Sequence, residues 1–117
     1  MAKDFKDLFV WQKSMDLVVE VYQLAKMLPK KEQYSLCDQI KRSAVSIPSN
    51  IAEGQGRKTN NEFNRFLSIA NGSKAELETQ LLLCVKINYL KKDEISLALN
   101  LIHDIGKMIN GLQKSLR

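Results

Sequence analysis

A chain of 117 residues and 13.4 kDa is long enough for one domain with a real core and too short for two ordinary ones. Eighteen lysines and arginines against thirteen acids give a net charge of +5, and 44% hydrophobic with 26% charged residues is a folded composition, not a disordered one. Five glycines and two prolines are too few for a β-rich chain of many turns, and no apolar run approaches the ~20 residues needed to cross a bilayer. The mixed-charge opening Met1-Ala2-Lys3-Asp4-Phe5-Lys6-Asp7 is unlike a secretory signal. The expectation is one all-α domain over residues 1–117, in the cytoplasm.

The spacing predicts four helices. The first covers about Asp7 to Leu28, where Trp11, Met15, Val18, Tyr22 and Ala25 repeat beside a second row of Leu17, Val21, Leu24 and Leu28. Pro29 ends it. A second helix is expected from about Glu32 to Glu53, with Leu36, Ile40, Ala44, Ile47 and Ile51 on one face. Pro48 falls inside it, removing a backbone donor and crowding the carbonyl four residues back, so a kink or break is expected near Ser46 and Ile47. Gly54-Gln55-Gly56 then supplies a left-handed stop and a turn.

Thr59-Asn60-Asn61-Glu62 fits a capping box and opens a third helix that keeps its period through Phe63, Phe66, Ala70, Leu77, Leu81 and Cys84 to about Tyr89. Gly72-Ser73 is its weak point: Gly72 either admits a neighbouring helix or marks a new start, and continuity is the favoured reading. Asp93 is the expected N-cap of the fourth helix, whose Ile95, Ala98, Ile102, Ile105, Ile109, Leu112 and Leu116 form the clearest three-four repeat in the chain. A second row of Leu97, Leu101 and Met108 widens that face, and Leu81-Leu82-Leu83 makes the third helix apolar nearly all round. Helices apolar on two sides predict a homo-oligomer with Leu97, Leu101 and Met108 at its interface.

Catalytic chemistry finds little footing. His103 is the single histidine and has no ExxH or HxxxH companion, and Cys37 and Cys84 are far apart with no CxxC, so no metal or cofactor site is expected and the thiols read as reduced core residues. No nucleotide-binding glycine motif is present. Helical carboxylates beside lysine and arginine are usually solvated, so the chain reads as a non-enzyme.

Two constellations remain. Gln39, Arg42, Ser46, Asn50, Glu53 and Arg57 fall on one face of a continuous second helix, which reads either as a structural polar stripe that fixes helix register or as a surface for a partner. Arg42 and Glu53 are expected at the ends of its hydrogen-bond network. Residues 26–58 also carry seven lysines and arginines against three acids. Repeated around an oligomer axis, such charge suits nucleic-acid phosphates, with Lys30, Lys31, Lys41, Arg57, Lys58 and Arg65 as the candidate contacts. The alternatives are a solubilising surface, a protein-interaction scaffold, or a small-molecule-binding bundle, the last without a convergent polar set in the core.

The segment Gln39-Ile40-Lys41-Arg42-Ser43-Ala44-Val45-Ser46-Ile47-Pro48-Ser49-Asn50-Ile51-Ala52-Glu53-Gly54 closely resembles the signature of four-helix-bundle proteins encoded in intervening sequences of bacterial 23S rRNA genes. The likeness continues through Val10-Trp11-Gln12-Lys13, Arg57, Glu62-Phe63, Ala70-Asn71-Gly72-Ser73 and Glu78-Thr79-Gln80-Leu81. Position 41 is Lys where the family commonly has Arg. The resemblance implies an antiparallel up-down four-helix bundle, a bacterial cytoplasmic protein, and a ring-like homo-oligomer, a pentamer. Related bundle proteins are accessory factors of diversity-generating retroelements. By that analogy the chain binds RNA or other nucleic acid through its basic residues, or alternatively docks a partner protein such as a reverse transcriptase without touching nucleic acid.

Overall fold

A computed structural model describes residues 4–117; Met1, Ala2 and Lys3, the start of the mixed-charge opening, lie outside the described residues. Four helices carry the fold: α1 (Phe9–Ala25), α2 (Leu36–Gln55), α3 (Asn60–Lys86) and α4 (Ser96–Ser115), with short 3-10 turns at Phe5–Asp7 and Lys30–Glu32 and no strand among the described residues. The helices in contact are α1 with α2, α2 with α3, α3 with α4, and α1 with α4, consistent with a four-helix bundle. It measures 43 × 24 × 19 Å. The 27 residues of α3 account for the long axis, at ~1.5 Å of rise each.

Most of the apolar repeats become the core, but in α1 it is the second row, Leu17, Val21 and Leu24, that is buried, while Met15 and Tyr22 of the first row are exposed. Leu17, Ile40, Ile47, Leu77, Ile105 and Ile109 are fully buried, each side chain contributing about 1.5–3 kcal/mol by leaving water. The β-branched stretch at Val18-Val19 stays helical in α1, because burying Leu17 and Val21 on one face outweighs local strand propensity.

Boundaries differ from the periodic reading where side chains take over backbone bonds. α1 stops at Ala25 and tightens through Met27 N–H to Leu24 O and Leu28 N–H to Ala25 O. Glu32 does not open α2 as a helical residue. Its carboxylate instead accepts from the Ser35 hydroxyl at 2.6 Å and faces the Leu36 amide at 3.4 Å, so α2 begins at Leu36.

α2 runs unbroken through Pro48, so of the kink or break expected near Ser46 and Ile47 the break does not occur. Two side chains just beyond the proline bond carbonyls of the preceding turn: Ser49 Oγ donates to Val45 O, and Asn50 Nδ2 to Ser46 O, both at 2.8 Å. Full burial of Ala44, Ile47 and Ile51 holds the segment in place.

The expected left-handed stop at Gly54-Gln55-Gly56 does not form. No glycine has a positive φ, and Gly56 ends the helix in a right-handed conformation at φ −79°. Gly54 serves packing instead. A Cβ there would lie 2.6 Å from Phe66 Cβ and 3.1 Å from Phe63 Cδ1, so its bareness lets α2 and α3 meet.

α3 is continuous across Gly72-Ser73, and Gly72 has open space around it, so it admits no neighbouring helix. Thr59 caps α3 by accepting from the Glu62 amide at 3.1 Å, the hydroxyl half of the capping box. The helix ends at Lys86, short of Tyr89. Asn88 takes the left-handed conformation at φ 67°, with Tyr89 N–H on Cys84 O and Asn88 N–H on Val85 O, a Schellman motif. Asp93 is not the N-cap of α4: Ile95 holds that place, and it is the Asp93 carbonyl that takes the amide and hydroxyl of Ser96.

Candidate functional site

The polar stripe of α2 faces α3 across a seam of small residues. Gln80 Nε2 donates to Gln39 Oε1 at 3.3 Å, and its Oε1 accepts from Ser43 Oγ at 2.9 Å. One turn further, the Ser46 and Ser73 hydroxyls are 2.8 Å apart, and Asn50 Nδ2 donates to Ser46 Oγ at 2.9 Å. The meeting pairs Gln39–Gln80, Ser46–Ser73 and Gly54–Phe66 run in opposite order along the two helices, so α2 and α3 are antiparallel. Every buried polar side-chain atom among the described residues has a partner. The seam is therefore a satisfied network that fixes register.

Arg42 and Glu53 are not its ends. Arg42, with 79% of its side chain exposed, pairs with Asp38 at 2.9 Å, and Glu53 pairs with Arg57 at 2.8 Å. Both are exposed i,i+4 pairs on the outer edge, where such contacts are worth a few tenths of a kcal/mol. The sequence reading missed the α3 half of the seam, Ser73 and Gln80, and Ser43 on α2. The seven-residue spacing of Ser73 and Gln80 on one face of α3 was the available signal.

Outside the seam, Tyr22, Gln39, Lys41, Arg42, Ser46 and Glu76 line an open groove of about 860 Å³. The Lys41 ammonium sits 5.0 Å from the centre of the Tyr22 ring, which binds α2 to α1 by a cation–π contact.

The six candidate nucleic-acid contacts do not form one patch. Lys30 and Lys31 stand on the 3-10 turn before α2, at the opposite end of that 20-residue helix from Arg57 and Lys58. Lys41 lies between. Arg65, in the second turn of α3, shares the end with Arg57 and Lys58, and Arg57 also lies over the Phe66 ring at 4.8 Å. Gln113 Nε2 donates to Ser68 Oγ at 3.0 Å, which brings the last turn of α4, and with it Lys114 and Arg117, to this same end. Those two cations were absent from the sequence reading; their position in the last turn of the strongest helical repeat was the clue.

The proposed interface residues divide. Leu97 is 54% exposed, whereas Leu101 and Met108 pack partly buried against the chain's own core. Leu82 and Leu83 are exposed at 49% and 45% beside buried Leu81. A further apolar surface lies between α1 and α2, where Trp11, Met15, Val18, Val45, Pro48 and Ala52 line a shallow groove of about 350 Å³.

Both cysteines are free and buried, and Cys37 Sγ contacts Ala25 O at 3.1 Å. Burial, with the neighbouring Cys37 and Glu32 adding to it, pushes the Cys84 thiol up to about 11, so it stays protonated at neutral pH. Among the described residues no group of three or more His, Cys, Asp or Glu side chains is placed to hold a metal, and no helix is long and apolar enough to cross a membrane.

An all-α fold of four helices with a hydroxyl-and-amide seam and basic ends defines a small helical protein whose polar residues serve architecture first. The chain belongs to the 23S rRNA-intervening sequence protein family, whose model matches residues 6–111. It is similar to a crystal structure of a protein of unknown function from the S23 ribosomal protein family of Bacteroides thetaiotaomicron, with a TM-score of 0.83 and 27% identity over 90% of this chain and 98% of that one. A comparison with curated proteins finds no match.

Proposed function

We propose that the protein is a non-enzymatic, cytoplasmic up-and-down bundle that assembles into a homo-oligomeric, pentameric ring and binds RNA or other nucleic acid through basic surface residues. One observation carries the binding: Arg57, Lys58, Arg65, Lys114 and Arg117 gather at one end of the bundle, and of these only Arg57 stands in an ion pair among the described residues. Cations without carboxylates are available to phosphates, and a ring would repeat the cluster around its axis. Support for assembly comes from exposed Met15, Val19, Tyr22 and Val45 on neighbouring helices, together with exposed Leu97.

Light scattering on nucleic-acid-free protein, repeated with RNA at low salt, tests both parts. A multimer that gains mass with RNA and loses it with rising salt is expected, with a slope of about −0.7 per neutralised phosphate on single strands. Charge reversal at Arg57, Lys58 and Arg65 should abolish the gain. A multimer indifferent to RNA favours the second reading, a protein-docking scaffold, for which the open groove beside Gln39, Arg42 and Glu76 is the supporting feature.

A further inference from the structure

Gly106 is buried in the interior of α4, where glycine is disfavoured relative to alanine by its loss of backbone freedom. No positive φ calls for it. Lys74 of α3 does. A Cβ built on Gly106 would lie 2.9 Å from Lys74 Nζ, 3.6 Å from Cε and 3.8 Å from Cδ, so the lysine rests its charged end on a stretch of α4 that has no side chain. Gly54 admits a neighbouring helix; Gly106 admits an ammonium group.

That ammonium stands in no ion pair: those among the described residues are Lys6–Asp4, Arg42–Asp38 and Arg57–Glu53, and Glu78, four residues on, is in the less favourable lysine-first order. Lys74, His103, Lys107, Asn110 and Glu78 line an open groove of about 460 Å³ between α3 and α4. No buried side-chain nitrogen among the described residues lacks a partner, so the unpaired Nζ of Lys74 is in reach of solvent.

We infer that this groove binds a phosphate ester, with the phosphate between Lys74 and Lys107. Two lysines and one carboxylate are among the lining residues, which come from both helices. Phosphate oxygens point in several directions and satisfy such donors together, which a planar carboxylate does less well. The Asn110 carboxamide adds a donor, and Glu78 can accept from a hydroxyl of the esterified sugar. A free nucleotide and a unit of an RNA chain present this same chemistry. The site uses none of Arg57, Lys58 or Arg65 and stands independently of binding at the basic end.

The test is titration of AMP, and separately of a short oligoribonucleotide, into the isotopically labelled full chain at low ionic strength, read by backbone amide shifts. Shifts are expected at residues 74–78 and 103–110. Lys74→Gln should weaken binding about tenfold, the loss of one charge-assisted contact. Gly106→Ala should do the same while keeping the fold, since alanine favours the helix and only the flexible end of Lys74 must move. Arg57→Glu with Lys58→Glu should leave AMP binding unchanged, which separates this site from the basic end. Binding of AMP lost in Lys74→Gln assigns a free ester, and Lys74-dependent binding of the oligoribonucleotide alone assigns an RNA phosphate. The inference is overturned if neither probe moves those amides, or if Lys74→Gln binds as the unaltered chain does.

Discussion

The phenol of Tyr89 donates a 2.7 Å hydrogen bond to Oε2 of Glu32, joining the turn before α2 to the turn after α3 across 57 positions of sequence. The same carboxylate accepts from Ser35. These bonds, Ser35 first and Tyr89 second, hold the Glu32 pKa below its ordinary 4.5, and the carboxylate raises that of Tyr89 above its ordinary 10.0. A lowered carboxyl pKa stabilises the fold above the unfolded value, and that contribution is lost as pH falls through the folded value. A raised phenol pKa contributes below 10.0 and is lost as pH rises through the folded value. Thermal melts should therefore weaken on the acid side of 4.5 and the alkaline side of 10.0, and Tyr89→Phe should flatten both limbs. Unaltered pH profiles in Tyr89→Phe would count against the clamp.

The glycines of α2 and α3 should respond to alanine with opposite signs. At Gly54 the new methyl meets Phe66 Cβ at 2.6 Å, an atom tied to the backbone, so Gly54→Ala should cost about 1–3 kcal/mol in urea unfolding. Gly72 has nothing within 4 Å of a built Cβ, so Gly72→Ala should gain about 0.5–1 kcal/mol through helix propensity. Equal effects at the two sites would contradict the close approach of α2 and α3.

Asn88 is the only described residue other than glycine with a positive φ, at 67°. Asn88→Ala should cost up to about 1 kcal/mol, because both residues carry the Cβ that the left-handed conformation crowds and alanine lacks the short polar side chain by which asparagine offsets it. Asn88→Gly should be neutral or stabilising, and chemical denaturation distinguishes the two.

The seam offers a further test. Gln80 bonds both Gln39 and Ser43, so Gln80→Leu strips the buried Ser43 hydroxyl of its partner and should cost about 1–3 kcal/mol in urea unfolding. A native-like midpoint would mean that the Gln80 bonds do not hold the register.

How far the chain is legible depends on the range of the interaction that decides each feature. Helix number and order follow from repeats such as Ile95, Ala98, Ile102, Ile105 and Ile109, since one buried face per helix needs only the chain's own period. Thr59 was readable as a cap because its partner is three residues away. Pro48 leaves α2 unbroken because the side-chain bonds of Ser49 and Asn50 and the burial around it hold the segment helical. In the candidate site, the α2 face from Gln39 to Asn50 was visible in the spacing. Its division into an inner network and outer ion pairs was not, because Arg42 and Glu53 each have a closer partner four residues away, Asp38 on α2 and Arg57 just past its end.

By itself the sequence determined an all-α chain of four helices, most of the residues that fill its core, and the family to which it belongs, all of which rest on local periodicity and a contiguous signature. Only the tertiary structure decided that Gly54 is a contact and Gly72 is not, that Gln80 completes the seam, and that Lys74 lies on Gly106. Each depends on which face one helix turns toward another. That rotation is set by the packing of both helices together, and no single helix encodes it.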